Sequence, residues 1–188
     1  MHTKLYLPIN LSLENKKCLV AGAGEVAQRK IRSLRSAGAK VFVVAKDIAP
    51  NIKKLAAQKK ITLSRRNFLN RDLTGKFLVI AATNNQRINQ KIAQNARRRH
   101  TLVNVVDSLA GSDFIFPAYF RRGGLVISVS SSGASPAFAQ KIKNDLKKSF
   151  GKEYKTCLSQ ISGLRKKIIR LFPTGKARKK LLKKLVEF

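Results

Sequence analysis

Apolar positions fall in short blocks, separated by longer amphipathic stretches, over the first two-thirds of the chain. Residues 17–21 (KCLVA) form a short apolar run that ends in Gly22, and 25–36 alternates as one face of a helix, closed by Gly38, a good helix stop. Residues 41–45 (VFVVA) are β-branched and too short for a helix. Pro50 opens a second helical stretch to about residue 59, and 61–63 is a candidate strand. A stronger strand follows at 77–82 (FLVIAA), then a helix over 89–99 and a strand at 102–106 (LVNVV). Alternation of this kind predicts a parallel sheet with helices on both faces.

The pattern changes after Asp107. Residues 114–116 and 118–120 are strand-like pieces around Pro117, Gly123-Gly124 is a turn signal, and 125–130 (LVISVS) reads as a strand. Ser135-Pro136 predicts a helix start, with Ser at the N-cap and Pro at the first helical position, running to about Phe150 before Gly151. Beyond it, Tyr154, Leu158, Ile161, Leu164, Ile168 and Leu171 make one apolar stripe at three- and four-residue spacing. Pro173-Thr174-Gly175 interrupts that helix, and 176–188 predicts a short final one. The expected fold is therefore α/β: a Rossmann-type parallel-sheet domain over 1–112, a small α/β unit over 113–150 and a basic helical segment over 151–188.

Composition narrows the classes. In 188 residues, 44% hydrophobic content suffices for a core, and 40 Lys+Arg against 9 Asp+Glu give a net charge of +31. Such a balance predicts attraction to polyanions, whether nucleic acid, anionic membrane or a polycarboxylate small molecule. Two cysteines, Cys18 and Cys157, and two histidines, His2 and His100, exclude a disulfide scaffold and argue against a structural zinc cluster. No apolar run is long enough to span a bilayer, and the first residues lack the apolar stretch of a signal peptide, so a cytoplasmic protein is the expectation. The basic runs carry no interleaved aromatics or helix-turn-helix signature, and solvated helix faces account for most of them.

The most specific local signal is Gly22-Ala23-Gly24-Glu25-Val26-Ala27, a G-x-G-x-x-A between a predicted strand and helix. Gly22 permits the tight turn, Gly24 lets a pyrophosphate approach the backbone, and Ala27 allows close helix–strand packing. The helix start offers free N–H groups and a positive dipole end to phosphates. A turn that binds nothing leaves the same local pattern; the strand–helix–strand setting favours a dinucleotide. Asp47 lies about 25 residues beyond Gly22, against about 20 for the usual acidic ribose ligand. An acid there favours NAD over NADP, and the adjacent Lys46 pulls the other way.

Asp107 ends the last strand of the alternating region, where open α/β sheets place their ligands. It can serve as a general base, hold a substrate cation, or merely cap the following turn. Ser130-Ser131-Ser132-Gly133-Ala134-Ser135-Pro136 again joins a strand to a helix start, either to hold an anion or as a polar loop with a cap. It lacks G-x-S-x-G spacing and an evident His or acid partner, which argues against a serine hydrolase. Neither histidine is a catalytic candidate, and both cysteines read as packing residues.

Taken together, the chain resembles the precorrin-2 dehydrogenase/sirohydrochlorin ferrochelatase family, which includes the N-terminal module of siroheme synthases. The resemblance rests on Leu7-Pro8-Ile9, the 22–30 stretch through Gln28-Arg29-Lys30, Ala81-Ala82-Thr83-Asn84, Asn104-Val105-Val106-Asp107, Phe114-Ile115-Phe116-Pro117-Ala118 and the 130–136 loop. It implies oxidation of precorrin-2 to sirohydrochlorin with NAD as cofactor, with Fe²⁺ insertion as an optional second activity. It implies that Asp107 is the catalytic base and that Gly22, Gly24, Glu25, Val26, Lys46 and Asp47 hold NAD. Ser130, Ser131, Ser132 and Gly133 would border the substrate, Ser131 matching a serine phosphorylated in some members. No resident metal site is expected. The segment after about residue 113 would build an intertwined homodimer. Ser132 stands where many members have Gly. The substrate's eight carboxylates suit a basic cleft, with Arg121 and Arg122 as position-based contacts, and do not require +31. The rival reading is an NAD-sensing binding module with a basic nucleic-acid-binding surface, which leaves Asp107 and the serine loop unexplained.

Overall fold

The computed structural model describes residues 5–185. His2 and the expected end of the last helix, 186–188, lie outside the described residues. The chain divides into two compact units, Met1–Ile115 and Phe116–Phe188.

In the first unit, β1 (Lys17–Ala21), β2 (Lys40–Ala45), β3 (Thr62–Arg65), β4 (Leu78–Ala81) and β5 (Leu102–Val105) form one parallel sheet in the order β3-β2-β1-β4-β5. Helices α1 (Glu25–Ser36), α2 (Pro50–Ala57) and α3 (Gln86–Arg97) and a 3₁₀ turn at Asn70–Leu73 connect the strands. This is the doubly wound, Rossmann-type arrangement, with helices on both faces of the sheet.

The central strands are buried on both faces, so they read as continuous apolar runs: all four residues of β4 and the last four of β1 are buried. On one face Leu19, Ala21, Val79, Ala81, Val103 and Val105 pack with Ile92, Ala93 and Ala96 of α3. The alternate side chains, including Cys18, Val20 and Ile80, point to the other face. Helix α1 packs against β1 and β2 and buries Ala27, Ile31 and Leu34, spaced as one helical face. The Cys18 thiol is pushed up to about 11 by burial, which suits a packing residue and not a nucleophile.

In the second unit, β6 (Ala118–Arg122) and β7 (Leu125–Val129) pair antiparallel through Gly123-Gly124, with Gly123 at φ 62°. Helix α4 (Pro136–Ser149) packs on this hairpin, followed by α5 (Glu153–Leu171) and α6 (Lys176–Lys184). Ser135 caps α4 as expected, its Oγ accepting from the Phe138 N–H at 3.2 Å, with Pro136 at the first helical position. The far end of α4 is closed by Arg122, whose guanidinium donates to the Lys147, Phe150 and Gly151 carbonyls. Those carbonyls have no partner inside the helix, and a cation at a helix C-terminus also meets the dipole favourably. The Arg122 side chain proposed above as a substrate contact is therefore committed to a helix end.

Two expectations need correction. Residues 114–116 are not a strand; the Phe114 carbonyl accepts from the Asn104 side-chain amide at 2.9 Å, so this backbone is held by a side chain and not by a ladder. The helix expected from residue 89 begins a turn earlier, at Gln86, because the Asn85 side chain caps it by accepting from Ile88 N–H. The apolar stripe of α5 is present, yet none of its residues is fully buried, and Leu164 and Leu171 are 48% and 67% exposed.

Ile80 is fully buried in the central strand β4. Ile80→Ala is expected to lower unfolding free energy by about 2–5 kcal/mol, measured by urea denaturation.

Candidate active site

The strand order places the switch point between β1 and β4: the chain runs outward from β1 to β3, then returns to add β4 and β5 on the other side. Crossovers leave the two central strands in opposite directions, and a crevice opens at their carboxyl ends. A cleft of about 560 Å³ occupies that position, within the usual range for small-molecule sites. Its lining includes Gly22–Gly24 after β1, Lys46 and Asp47 after β2, Arg66–Phe68 after β3, and Ala82–Asn85 after β4.

The glycine turn forms one wall. Gly22 has φ 114°, a conformation that glycine alone adopts readily, and a Cβ there would run into the Ala82 carbonyl. Its N–H donates to the Val44 carbonyl at 2.9 Å. A Cβ on Gly24 would meet nothing within 4 Å, so this glycine borders open space. Gly24 is the N-cap of α1 and has no side chain to close the helix start; its carbonyl accepts from Gln28 N–H at 3.0 Å. The amides of Glu25 and Val26 stand at that uncapped start. A glycine shoulder, an open helix N-terminus and an apolar floor fit the pyrophosphate and sugars of a dinucleotide.

The opposite wall is held by Thr83 and Asn89. Thr83 N–H and Oγ1–H donate to Asn89 Oδ1 at 3.1 and 2.7 Å, and Asn89 Nδ2 donates to the Thr83 carbonyl at 2.9 Å. Asn89 is 4% exposed, so this exchange satisfies a buried amide while fixing the β4–α3 turn. At the outer end, Arg66 makes two bonds to Asp72, at 2.8 and 2.6 Å, and Asp72 Oδ2 also accepts from Leu69 N–H. The hydrogen bond from Arg66 is the main reason the Asp72 carboxyl lies below its ordinary range. Sequence reading missed Arg66, Phe68 and Asn89. Their one visible signal was position after a strand or at a helix start, and the Arg66–Asp72 pairing has no periodic signature.

Gly22, Gly24, Lys46 and Asp47 thus share one cleft, and Glu25 and Val26 begin the adjoining helix. Asp107 is not among the lining residues. It sits just beyond the carboxyl end of β5, exposed, with φ 62°. The half-buried Lys30 of α1 feels its field. Burial first, and Arg29 second, push the Lys30 ammonium down to about 8, while Asp107 acts in the opposite direction.

The serine-rich loop belongs to the second unit. Ser130 Oγ accepts from Ser132 N–H at 3.1 Å and Ser131 Oγ from Ser135 N–H at 3.0 Å. Ser132 and Gly133 have φ 52° and 91°. Ser132 therefore adopts the left-handed conformation that a glycine would hold without strain, at a cost of about 1–2 kcal/mol.

Comparison with known proteins agrees with this geometry. An NAD(P)-binding family model matches residues 9–118, and the "Sirohaem biosynthesis protein central" model matches 122–149. A precorrin-2 dehydrogenase of Bacillus subtilis is 33% identical over 161 residues, covering 86% of this chain and 99% of the relative. A siroheme synthase of Psychromonas ingrahamii is 43% identical over 141 residues, 75% of this chain; that match spans about 30% of the synthase. Among solved structures, the precorrin-2 dehydrogenase SirC superposes with a TM-score of 0.79 at 27% identity, covering 97% of this chain and 90% of SirC. The fold and cleft define an NAD(P)-binding protein. More particularly, the chain belongs to the family of precorrin-2 dehydrogenases and siroheme synthases.

Gly22→Ala is expected to abolish NAD⁺ binding, through both strain at φ 114° and collision with Ala82, whereas Gly24→Ala should fold normally and bind NAD⁺ at least tenfold more weakly; calorimetric titration with NAD⁺ checks both. Because the folded Lys30 ammonium is depressed, its charge opposes folding fully below about pH 8, and that cost disappears as pH rises towards 10.5. Lys30→Met should accordingly be more stable than the parent by about 1–3 kcal/mol at pH 7, with the gap narrowing in chemical denaturation as pH rises from about 8 towards 10.5.

Proposed function

We propose that the protein is a precorrin-2 dehydrogenase that oxidises precorrin-2 to sirohydrochlorin with NAD⁺, in siroheme biosynthesis. The observation that carries this reading is the pairing, along the carboxyl edge of one parallel sheet, of a glycine-turn cleft with the exposed carboxylate of Asp107. The name and near-complete coverage of the Bacillus subtilis relative support the choice of substrate.

NAD⁺, when bound, supplies the hydride acceptor. The chain's own residues do the rest. Gly22 and Gly24 would let the backbone approach the pyrophosphate, the Glu25 and Val26 amides would meet its charge, and Asp47 and Lys46 would hold the ribose. Oxidation removes one hydride and one proton from the macrocycle, and Asp107 accepts the proton. A base within hydrogen-bond reach typically contributes about 10²–10⁴-fold to rate. In Fe²⁺ insertion, an optional second activity, the same carboxylate would take up protons released by the macrocycle nitrogens. The substrate's eight carboxylates are attracted by the chain's net charge of +31.

Residues 1–112 are assigned to cofactor binding, 113–150 to dimerisation and, through Ser130–Gly133, to contact with substrate, and 151–188 to a basic helical domain. The exposed apolar positions of α5 suit burial in a homodimer. The two free cysteines suit the cytoplasm, and among the described residues no helix is long and apolar enough to cross a membrane.

The test is anaerobic: purified protein, enzymatically generated precorrin-2 and NAD⁺, with NADH and sirohydrochlorin followed by absorbance. Stoichiometric appearance of both is expected, and Fe²⁺ added afterwards tests chelation. Asp107→Ala should retain NAD⁺ affinity and lose at least 100-fold in kcat. Normal turnover by that variant removes Asp107 from the mechanism, and no turnover by folded parent protein with NAD⁺ or NADP⁺ overturns the enzyme reading.

A further inference from the structure

The loop that carries Asp107 is braced in a way the reaction chemistry alone does not require. Strand β5 is an edge of the sheet, so the N–H groups on its outer side have no neighbouring strand. Two side chains of the following loop supply the missing acceptors. Val105 N–H donates to Ser112 Oγ at 2.9 Å, and Val103 N–H donates to Asp113 Oδ2 at 3.0 Å. Asp113 N–H in turn donates to the Val103 carbonyl at 2.8 Å. The loop therefore folds back along the strand it leaves.

Ser112 is the centre of this brace. It is 1% exposed. While its oxygen accepts from Val105 N–H, the same Oγ lies 2.7 Å from the Ser108 carbonyl oxygen, to which its single proton is donated, with the Val105 carbonyl at 3.2 Å as a second acceptor. Ser108 N–H returns to the Val105 carbonyl at 3.3 Å, and Ser108 Oγ accepts from Gly111 N–H at 3.1 Å. A Cβ on Gly111 would stand 2.9 Å from Ser108 Oγ and 3.1 Å from Val105 Cγ2, so the loop is closely packed. From outside, Arg97 of α3 donates to Asp113 Oδ1 at 3.0 Å and to the Ala110 carbonyl at 3.2 Å.

Val105 and Ser108 are the two ends of the turn that contains Asp107. Both are tied to the same buried hydroxyl, and between them Asp107 is held at φ 62°. We propose that Ser112 is a positioning residue for Asp107: its hydroxyl clamps both ends of the 105–108 turn and so fixes where the carboxylate is presented, with Arg97 and Asp113 holding the outer limb. This rests on the assignment of Asp107 as the base. A base displaced by about 1 Å can lose on the order of 100-fold in rate, so a rigid presentation is worth more here than at an ordinary surface loop.

The experiment compares Ser112→Ala, the surface variant Arg97→Gln, Asp107→Ala and the two doubles carrying Asp107→Ala. Each is assayed with precorrin-2 and NAD⁺, titrated with NAD⁺, and followed by amide hydrogen exchange. Ser112→Ala is expected to lose about 10- to 100-fold in kcat, with KM for precorrin-2 and NAD⁺ affinity within about twofold of the parent. Exchange should quicken at Val105 and through 106–113. Arg97→Gln should lose several-fold in the same parameter and decides the matter should Ser112→Ala not fold. On the Asp107→Ala background neither substitution should lower residual turnover further, because each acts through the missing carboxylate. The proposal is overturned by parental kcat in both single variants while Asp107→Ala is inactive, or by losses that multiply with that of Asp107→Ala, which would mark a general structural role. Parental turnover by Asp107→Ala would instead refute the parent assignment.

Discussion

Gly22 lies against the Ala82 carbonyl, and the arrangement of the first unit follows from that contact. It presses the turn after β1 against the turn after β4, the two strands that sit side by side at the centre of the sheet. With the turns in contact, the connections leaving them must diverge, one towards β2 and the other towards α3. The space they leave is the cleft. Any side chain at Gly22 would push the turns apart and remove the shoulder on which a pyrophosphate can rest. One missing methyl group thus sets both the packing of the central strands and the shape of the site.

Acidic residues are scarce in this chain, nine in all, and their placement is correspondingly economical. Asp72 pairs with Arg66 and accepts a backbone N–H, which ties down the outer end of the cleft. Asp113 pairs with Arg97 and covers an edge amide of β5. Among the described residues Arg122 pairs with no carboxylate and instead closes the end of α4 with backbone carbonyls. The arginines that build structure therefore do so through fixed, forked geometry. Most of the remaining positive charge lies on exposed side chains, where it sets up a field that attracts anions.

Much of the fold could be read from the sequence because it depends on local periodicity. Apolar runs such as 77–82 and the spacing of Ala27, Ile31 and Leu34 follow directly from burial on two faces or one. The glycine turn was equally legible, since its residues act within a few positions of one another. What stayed hidden was side-chain bonding across loops. Nothing in the order Ser108 to Asp113 announces that a hydroxyl and a carboxylate will replace a neighbouring strand, and Asn104 takes up the Phe114 carbonyl where a ladder had been expected. The α5 stripe shows the remaining limit. Helical spacing identifies an apolar face but not what covers it.

The closed outer side of β5 also bears on how the protein behaves in concentrated solution. An uncovered edge strand is a template on which a second chain can add a strand of its own, the first step of aggregation. Here that template is cancelled by side chains of the same loop, without the length of an extra strand. At the opposite edge, β3 is only four residues long, follows Lys59-Lys60 and ends in Arg65, so an approaching strand meets little ladder and cations at either end. Both ends of the sheet are therefore poor seeds for growth, which would let a protein with a five-stranded, strongly apolar sheet remain dispersed while its chain is being made and folded.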